Sequence, residues 1–439
     1  MVMKWLVPFL VILMIWSCKQ KTQVEVVDRS NIDRLAEEYV RLALYIGMYD
    51  ESFVDAYYGP ESLKPATKKR KKFPKDSILQ AVDTLLTQVR FLETTHESDT
   101  VRHRAGWIAD QLVAFDRRVQ IFTGDYSTFD KESRDLFGVI APVYDENHYA
   151  ALIAELQSIL PGKGTVQERF QKLANRFIIP KAKLDTVFKA AIEEARSRTK
   201  QYYSLPESES FTLEYVSDKP WNGYNWYKGN YTSLIQINTD LNIFIDRVID
   251  VGSHESYPGH HVYNMLLEKN LYRDRNRVEI SMYPLFSPQS LIAEGTANYG
   301  IDVVFPGDDR IKFAKEVLLP MAGLDTNGIT TYFKAVEIKT KLNYARNEAA
   351  RGIINGSMTD EMAQKWLEDY ALYNKETAEK SIRFIKANRS YVINYNYGAD
   401  LIREYVDSRM MQTDSTEETR WKIFGELMSR QVRINELFE

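Results

Sequence analysis

A histidine-rich string near the middle of the chain has the residue types that bind a metal ion. The chain has only six histidines, and three of them stand in the string His254-Glu-Ser-Tyr-Pro-Gly-His260-His261. Zinc hydrolases commonly hold the metal with two histidines one helical turn apart, and a glutamate beside the first histidine serves as the base. We therefore predict that His254 binds one zinc ion and that Glu255 is the general base.

The spacing inside this string does not fit a regular helix. His260 at i+6 would lie about 120° away from the face of His254, and His261 at i+7 would lie about 10 Å further along the axis. Pro258 removes a backbone hydrogen bond, and Gly259 can adopt dihedral angles that other residues avoid. We expect the helix to bulge or break here and to bring His260 back toward His254. His261 is the alternative ligand, or it supports a ligand or binds substrate.

A third ligand is expected from another helix. Ser287-Pro288 is a strong helix start, with serine as the cap and proline in the first turn. On this helix Glu294 and Asn298 share a face, so we predict that Glu294 binds the metal and that Asn298 orients a ligand. A surface carboxylate is the alternative reading of Glu294. Gly295 would let another backbone approach closely.

Two strings of the sequence resemble the signatures of the bacterial family called domain of unknown function 885. Residues 254–261 match its pattern His-Glu-x-x-Pro-Gly-His-His. Residues 294–299 match Glu-Gly-Trp-Ala-x-Tyr, except that Thr296 stands where the family usually has tryptophan. Two weaker matches, Asp55-Ala-Tyr-Tyr-Gly-Pro60 and Tyr395-Asn-Tyr-Gly398, extend the resemblance over most of the chain. The departure at position 296 bears on the wall of the substrate site that the resemblance implies and leaves the implied metal ligands unchanged.

The resemblance implies a mainly helical fold related to the glutamate-zincin peptidases. Carried over to this sequence, His254 and His260 are the histidine ligands of one zinc ion, Glu294 is the third ligand and Glu255 is the base. Many family members are lipoproteins.

Three further residues are predicted to act on the substrate. Tyr395 lies in the matched Tyr-x-x-Gly string, and its phenol could donate a hydrogen bond to the developing oxyanion; a packing role is the alternative. Arg383 and Arg389 lie nearby and could hold a substrate carboxylate with two hydrogen bonds. A carboxypeptidase or a short-peptide activity would follow.

The first residues of the chain are typical of a bacterial lipoprotein. Lys4 precedes an apolar run over 5–16 that is shorter than the roughly 20 residues of a membrane-spanning helix. The one cysteine of the chain, Cys18, follows directly. We predict a signal peptide over 1–17, lipidation of Cys18 and a tether over 18–30. The protein would then be a lipid-anchored protein of the bacterial cell envelope, periplasmic or surface-facing. A plain signal peptide is the alternative.

The remaining chain has the composition of a globular protein. Aromatic residues make up 12%, which argues against disorder, and a net charge of -4 does not favour nucleic acid as a partner. Apolar residues recur at helical spacing in 31–205, which predicts a helical N-terminal region. The catalytic region over 206–439 would begin with a small sheet and continue with the metal-site helices and a helical C-terminal part.

The predicted fold class is therefore mainly α with a small β-sheet, with a zincin-like metallopeptidase core inside a large helical protein. Alternating residues near 211–215 and 234–238 predict strands, and Lys228-Gly229-Asn230 predicts a hairpin turn. Asp55–Pro60 is interpreted as a turn rich in aromatic residues. The predicted function is zinc-dependent hydrolysis of peptides. The alternatives are a zinc hydrolase of a non-peptide bond and a lipoprotein that binds without catalysis.

Overall fold

The computed structural model describes residues 30–66, 69–219 and 221–439. The predicted signal peptide and Cys18 lie outside the described residues. Within those ranges the chain forms many short and medium helices around two small sheets, and 67% of it is helical. This confirms the predicted fold class.

Seven α-helices precede the larger sheet. They are α1 Ser30–Gly47, α2 Lys75–Thr95, α3 Asp99–Phe122, α4 Phe129–Phe137, α5 Glu146–Ile159, α6 Val166–Ala174 and α7 Leu184–Tyr202. The apolar positions that predicted helices are buried on α2 and α3, for example Ile78, Val82 and Phe115. The predicted apolar positions of these two helices therefore pack into the core.

Eleven α-helices follow in the described part of the chain. They are α8 Ile245–Glu255, α9 His260–Leu267, α10 Pro288–Val304, α11 Asp309–Phe313, α12 Leu319–Ala322, α13 Ile329–Lys341, α14 Tyr344–Ile354, α15 Asp360–Tyr370, α16 Lys375–Asn388, α17 Ile393–Met411 and α18 Glu417–Met428. Two π-helical segments, Glu268–Arg273 and Ala314–Leu318, extend α9 and connect α11 to α12.

Five strands form two sheets. They are β1 Val54–Tyr57, β2 Ser210–Val216, β3 Gly223–Gly229, β4 Thr232–Asn238 and β5 Met282–Pro284. In the larger sheet β4 is central, parallel to β2 and antiparallel to β3. The predicted strands and hairpin are confirmed, with Asn230 and Tyr231 both at positive φ in the turn.

The smaller sheet corrects one interpretation of the sequence. Val54–Tyr57 is not part of a turn, because it pairs antiparallel with β5. The partner strand lies more than two hundred residues away along the chain, so no local pattern could reveal the pairing.

Helix α10 lies at the centre of the site-bearing half of the molecule. It begins at Pro288 with Ser287 as the preceding cap residue, as predicted, and nearly all its residues are buried. It packs against α8, α9 and α17. A side chain at Gly295 would come within 2.5 Å of the carbonyl oxygen of Gly398, so these two glycines allow α10 and α17 to approach closely.

Candidate metal centre

A break in the helix brings the first two histidines together. Helix α8 ends at Glu255 and α9 begins at His260. Between them, the amide of Gly259 donates a hydrogen bond of 3.1 Å to the carbonyl of Ser253. A β-carbon at Gly259 would lie 1.9 Å from the carbonyl oxygen of His254, so no other residue fits this break. The rings of His254 and His260 come to a centroid distance of 4.6 Å, at 88° to each other.

Glu294 on α10 completes a group of three converging atoms. Its Oε2 lies 3.3 Å from Nε2 of His254 and 3.8 Å from Nε2 of His260. Zinc bonds of about 2.1 Å in tetrahedral geometry place ligand atoms about 3.4 Å apart. The Oε2 atom is buried and has no hydrogen-bond partner among the residues that the structure describes. Such an oxygen is costly to bury unless a cation balances it, so these residues fit a divalent zinc ion.

Glu255 lies beside this group. Its backbone carbonyl accepts a hydrogen bond of 2.6 Å from Nδ2 of Asn225 on β3. Its side-chain Oε2 is buried and has no hydrogen-bond partner in the described part of the chain. One ligand-type atom from each of His254, Glu255 and His260 lies within 4.8 Å of the others. The shorter distances to Glu294 match a ligand set better, and they leave the Glu255 carboxylate as the second acid at the site.

The charges of the site follow from burial and mutual contact. Burial raises the pKa of Glu255 to about 7. Burial and the neighbouring charge of His254 lower the pKa of His260 to about 4. For Glu294, burial opposes ionisation, but contact with both histidines outweighs it and leaves its pKa below the usual value. Glu294 is therefore a carboxylate and His260 a neutral imidazole near neutral pH, which are the forms that bind a metal.

Hydrogen bonds from outside the group hold its members in place. Oδ1 of Asn298 lies 3.0 Å from Nδ1 of His254, and Nδ2 of the same amide donates to the carbonyl of Tyr395 at 2.9 Å. Because the amide oxygen faces Nδ1 of His254, that nitrogen carries a proton, and Nε2 is the ring nitrogen that faces Oε2 of Glu294. Asn298, which was predicted to orient a metal ligand, thus lies where it can orient His254.

Tyr391 is a site residue that the sequence analysis missed. Its hydroxyl donates to Oε1 of Glu294 at 3.0 Å and accepts from the hydroxyl of Ser290 at 3.2 Å. It lies one helical turn before Tyr395, and that spacing was the signal that could have drawn attention to it. It fixes the Glu294 carboxylate so that Oε2 points to the histidines.

The structure places His261 away from the other site residues. The ring is fully buried, with Nδ1 2.8 Å from the hydroxyl of Ser233 and Nε2 3.3 Å from Oε2 of Glu209. Glu209 also accepts hydrogen bonds from Tyr257 at 2.5 Å and from Nε of Arg196 at 2.9 Å. Both ring nitrogens of His261 are therefore engaged by Ser233 and Glu209, which favours His260 over His261 as the metal ligand.

Tyr395 lies at the edge of the site. It is half-buried on α17, with its ring 5.7 Å from that of Tyr391. Burial and the charge of Glu294 raise the pKa of its phenol well above the usual value, and the charge of Glu255 adds to this. The phenol therefore keeps its proton and can donate it in a hydrogen bond.

The two predicted carboxylate-binding arginines are not brought into the site. Arg389 binds the buried carboxylate of Glu132 through Nε at 2.7 Å and Nη2 at 2.8 Å. Arg383 is exposed on α16. Nε and Nη2 of Arg389 therefore already donate to Glu132, so this edge of the guanidinium is not available to a substrate carboxylate.

Asp55 and Tyr224 form a wall of the site that the sequence analysis did not assign. Asp55 on β1 is half-buried and accepts a hydrogen bond from the hydroxyl of Tyr224 on β3. Burial raises the pKa of Asp55 to about 6, and the nearby charge of Glu294 contributes in the same direction. The Asp55–Pro60 string therefore contributes an acid to the neighbourhood of the metal centre.

The architecture resembles several solved structures at low sequence identity. A candidate lipoprotein from Colwellia psychrerythraea aligns over 82% of this chain and 69% of its own, at 12% identity and a TM-score of 0.50. A candidate lipoprotein of unknown function from Shewanella oneidensis aligns over 81% and 71%, at 13% identity and a TM-score of 0.44. Metallocarboxypeptidase 1 from Trypanosoma cruzi aligns over 91% and 90%, at 10% identity and a TM-score of 0.45.

At these identities the likeness concerns the fold. No family model and no curated protein matches the chain. The resemblance to the domain of unknown function 885 family therefore stays a prediction. In the described residues, no helix combines the length and apolar character that crossing a bilayer requires.

Proposed function

We propose that this protein is a zinc-dependent peptidase that acts on short peptides. In this proposal His254, His260 and Glu294 hold one zinc ion, Glu255 is the general base and Tyr395 binds the developing oxyanion. The observation that carries the proposal is the approach of the two histidine Nε2 atoms to Oε2 of Glu294, at 3.3 and 3.8 Å. This buried oxygen has no other partner among the described residues.

Zinc bound in such a site acidifies water from a pKa of about 15.7 toward about 7 and polarises a carbonyl group. The protein has to supply the proton transfers. Oε2 of Glu255 has no hydrogen-bond partner within the described residues, so it is free to take a proton from the attacking water. The same carboxyl group then passes the proton to the nitrogen of the leaving amine, which makes departure of the product possible.

Tyr395 would stabilise the charge that develops on the substrate oxygen. Its phenol remains protonated near neutral pH, and the Asn298 amide holds the backbone of this residue beside His254. A donor placed at an oxyanion typically contributes about 3 kcal/mol to lowering the barrier. Asn298 and Tyr391 act by orienting His254 and Glu294.

We infer that the protein is attached to the bacterial cell envelope through a lipid on Cys18. The apolar run before this cysteine supports the inference. Metabolic labelling with a palmitate analogue in a bacterial host should label the wild-type protein and leave Cys18→Ala unlabelled. Equal labelling of both would contradict lipidation at this residue.

A peptide-library digest of the zinc-loaded protein tests the proposed activity. We expect cleavage of short peptides by the wild-type protein and a loss of about 10²-fold or more in Glu255→Gln, with the fold and the zinc content retained. Glu155→Gln, which changes an exposed carboxylate on α5, is the matched control and should cleave normally.

Three other outcomes of the digest would contradict parts of the proposal. Full activity in Glu255→Gln would remove the base assignment. Turnover of esters with no turnover of peptides would point to a hydrolase of non-peptide bonds. Bound zinc without turnover of any substrate pool would point to a binding lipoprotein.

A further inference from the structure

Arg346 on α14 is a cation beside the proposed active site. Its side chain is half-buried, and Cζ lies 4.5 Å from the ring centroid of Phe384 and 5.9 Å from that of Tyr395. Stacking on Phe384 fixes the plane of the guanidinium. Its charge also lowers the pKa of the Tyr395 phenol, against the effects of burial and of Glu294. Arg346 therefore lies within electrostatic reach of the Tyr395 phenol, whose pKa also responds to Glu294 and Glu255.

This guanidinium has no acidic partner in the parts of the chain that the structure describes, 30–66, 69–219 and 221–439. Its Nε atom is buried and has no hydrogen-bond acceptor within these ranges. The neighbouring Arg351 on the same helix is different, because it binds Glu348 at 2.6 Å and Asp130 at 3.0 Å. A half-buried cation normally finds an anionic partner, since the unpaired charge is costly to keep from water.

The location of Arg346 next to the proposed active site distinguishes it from other arginines whose Nε is buried and has no acceptor among the described residues. Arg409 shares this property, but its guanidinium lies 4.4 Å from the ring of Tyr405, near the end of α17 that is remote from Tyr395 in sequence. Arg346 instead lies against a residue of the proposed active site. The anion that it lacks can therefore be supplied by a substrate.

The other charges around the site indicate which substrate group needs this cation. Asp55, Glu255 and Glu294 place three carboxyl groups near the metal position. They would repel a peptide carboxylate unless a cation held it. A guanidinium presents a planar edge with two parallel N–H donors, which matches the two oxygens of a carboxylate. One residue of extended peptide spans about 3.5 Å, so a carboxylate held at Arg346 leaves a peptide bond near the C-terminus within reach of Tyr395.

We propose that Arg346 binds the C-terminal carboxylate of the substrate and so makes free-acid peptides the substrate class, with cleavage close to the carboxyl end. This inference rests on the proposed peptidase function and assigns the specificity of the same site. Arg346 takes the role that the sequence analysis had considered for Arg383 and Arg389.

The test compares one short peptide sequence made with a free C-terminal acid and with a C-terminal amide, using the zinc-loaded full chain. Wild-type protein should cleave the acid at least ten-fold more efficiently than the amide. Arg346→Gln should raise KM for the acid about ten-fold or more and lower kcat/KM for the acid at least ten-fold more than kcat/KM for the amide, and Arg346→Lys should restore part of the loss. Arg409→Gln is the matched control and should behave as wild type. Equal cleavage of acid and amide by wild type, or an equal loss for both in Arg346→Gln, would overturn the inference.

A binding measurement separates this inference from the peptidase proposal. Glu255→Gln protein is titrated calorimetrically with the acid and the amide, so that no turnover is needed. The acid peptide should bind to this protein at least ten-fold more tightly than the amide peptide. The difference in affinity should vanish in the double variant that carries both Glu255→Gln and Arg346→Gln. Circular dichroism and zinc content show whether each variant is folded. Equal affinity for the two peptides, or no binding of either, contradicts the role of Arg346, whereas selective binding without cleavage by wild type contradicts only the peptidase proposal.

Discussion

Oε2 of Glu294 lies 3.3 Å from Nε2 of His254, although the two residues belong to different helices and are separated by forty positions in the chain. Packing alone does not explain the carboxylate oxygen, because it is buried without a hydrogen-bond partner among the described residues. The separation is close to that of two ligands of one tetrahedral zinc ion, about 3.4 Å. The helices α8 and α10 are therefore packed in a way that prepares a metal site.

Removing the amide that orients His254 should weaken the metal site without unfolding the protein. In Asn298→Ala we expect zinc affinity to fall about 10- to 100-fold, because the ring loses the acceptor at Nδ1 that fixes its tautomer. Zinc competition with a fluorescent chelator measures this. Asn298→Asp keeps an acceptor oxygen and is the matched variant, with affinity near that of wild type. Unchanged affinity in Asn298→Ala would contradict the orienting role.

The break between α8 and α9 should tolerate no side chain at Gly259. Gly259→Ala would place a methyl group 1.9 Å from the carbonyl oxygen of His254, so the break must distort. We expect a loss of at least about 3 kcal/mol in the free energy of unfolding, together with loss of zinc. Gly252→Ala, on α8, meets only a side-chain carbon at 3.4 Å and serves as the control. Equal melting temperatures for the two variants would show that the tight break is not required.

Substitutions of the two tyrosines near Glu294, Tyr391 and Tyr395, should have different effects on metal binding and on catalysis. Tyr395→Phe should reduce kcat about 10²-fold and leave zinc content and KM close to wild type, since the lost hydroxyl acts on the developing charge. Tyr391→Phe removes the donor to Oε1 of Glu294 and should mainly weaken zinc binding. Steady-state kinetics and metal titration of both variants make the comparison. A Tyr395→Phe enzyme with wild-type kcat would leave this residue a packing role.

The stability of the protein should depend on pH through Glu209. Burial opposes its ionisation, but hydrogen bonds from His261, Tyr257 and Arg196 outweigh burial and lower its pKa from 4.5 to about 2. Because the folded pKa is the lower one, the stabilisation is fully present above about pH 4.5 and is lost as the pH falls through 2.

The contribution of Glu209 can be measured by substitution. Glu209→Gln should lower the melting temperature at pH 7, by an amount that corresponds to on the order of 3 kcal/mol, and the difference should shrink toward pH 2. The exposed neighbour Glu207 gives the control variant Glu207→Gln, which should show little difference at either pH. A difference for Glu209→Gln that is the same at pH 7 and pH 2 would contradict this assignment.

The parts of the fold that could be predicted from the sequence are those with local signals. Periodic apolar residues predict α2 and α3, and alternation predicts β2 and β4, because the apolar positions of these elements pack against the core. The break after Glu255 was predictable since Pro258 and Gly259 interrupt the helix directly. The pairing of β1 with β5 was not, because it depends on a contact between distant segments.

The same distinction applies to the site. The histidine string and Glu294 carry their chemistry in residue type and spacing, so they could be proposed from the sequence. Tyr391 and Arg346 are one tyrosine among 27 and one arginine among many, and only their contacts with Glu294 and Tyr395 distinguish them. Arg389 and Glu132 are far apart in sequence, so the ion pair that keeps Arg389 from binding substrate could not be predicted.

Elemental analysis of the purified protein tests the central claim most directly. The account predicts close to one zinc per chain in wild type and in Glu255→Gln, and less than about a tenth of that in His254→Ala after dialysis against a weak chelator. Zinc retained at the wild-type level in His254→Ala, or no zinc in the wild-type protein after growth with the metal, would contradict the claim that His254, His260 and Glu294 form a zinc centre.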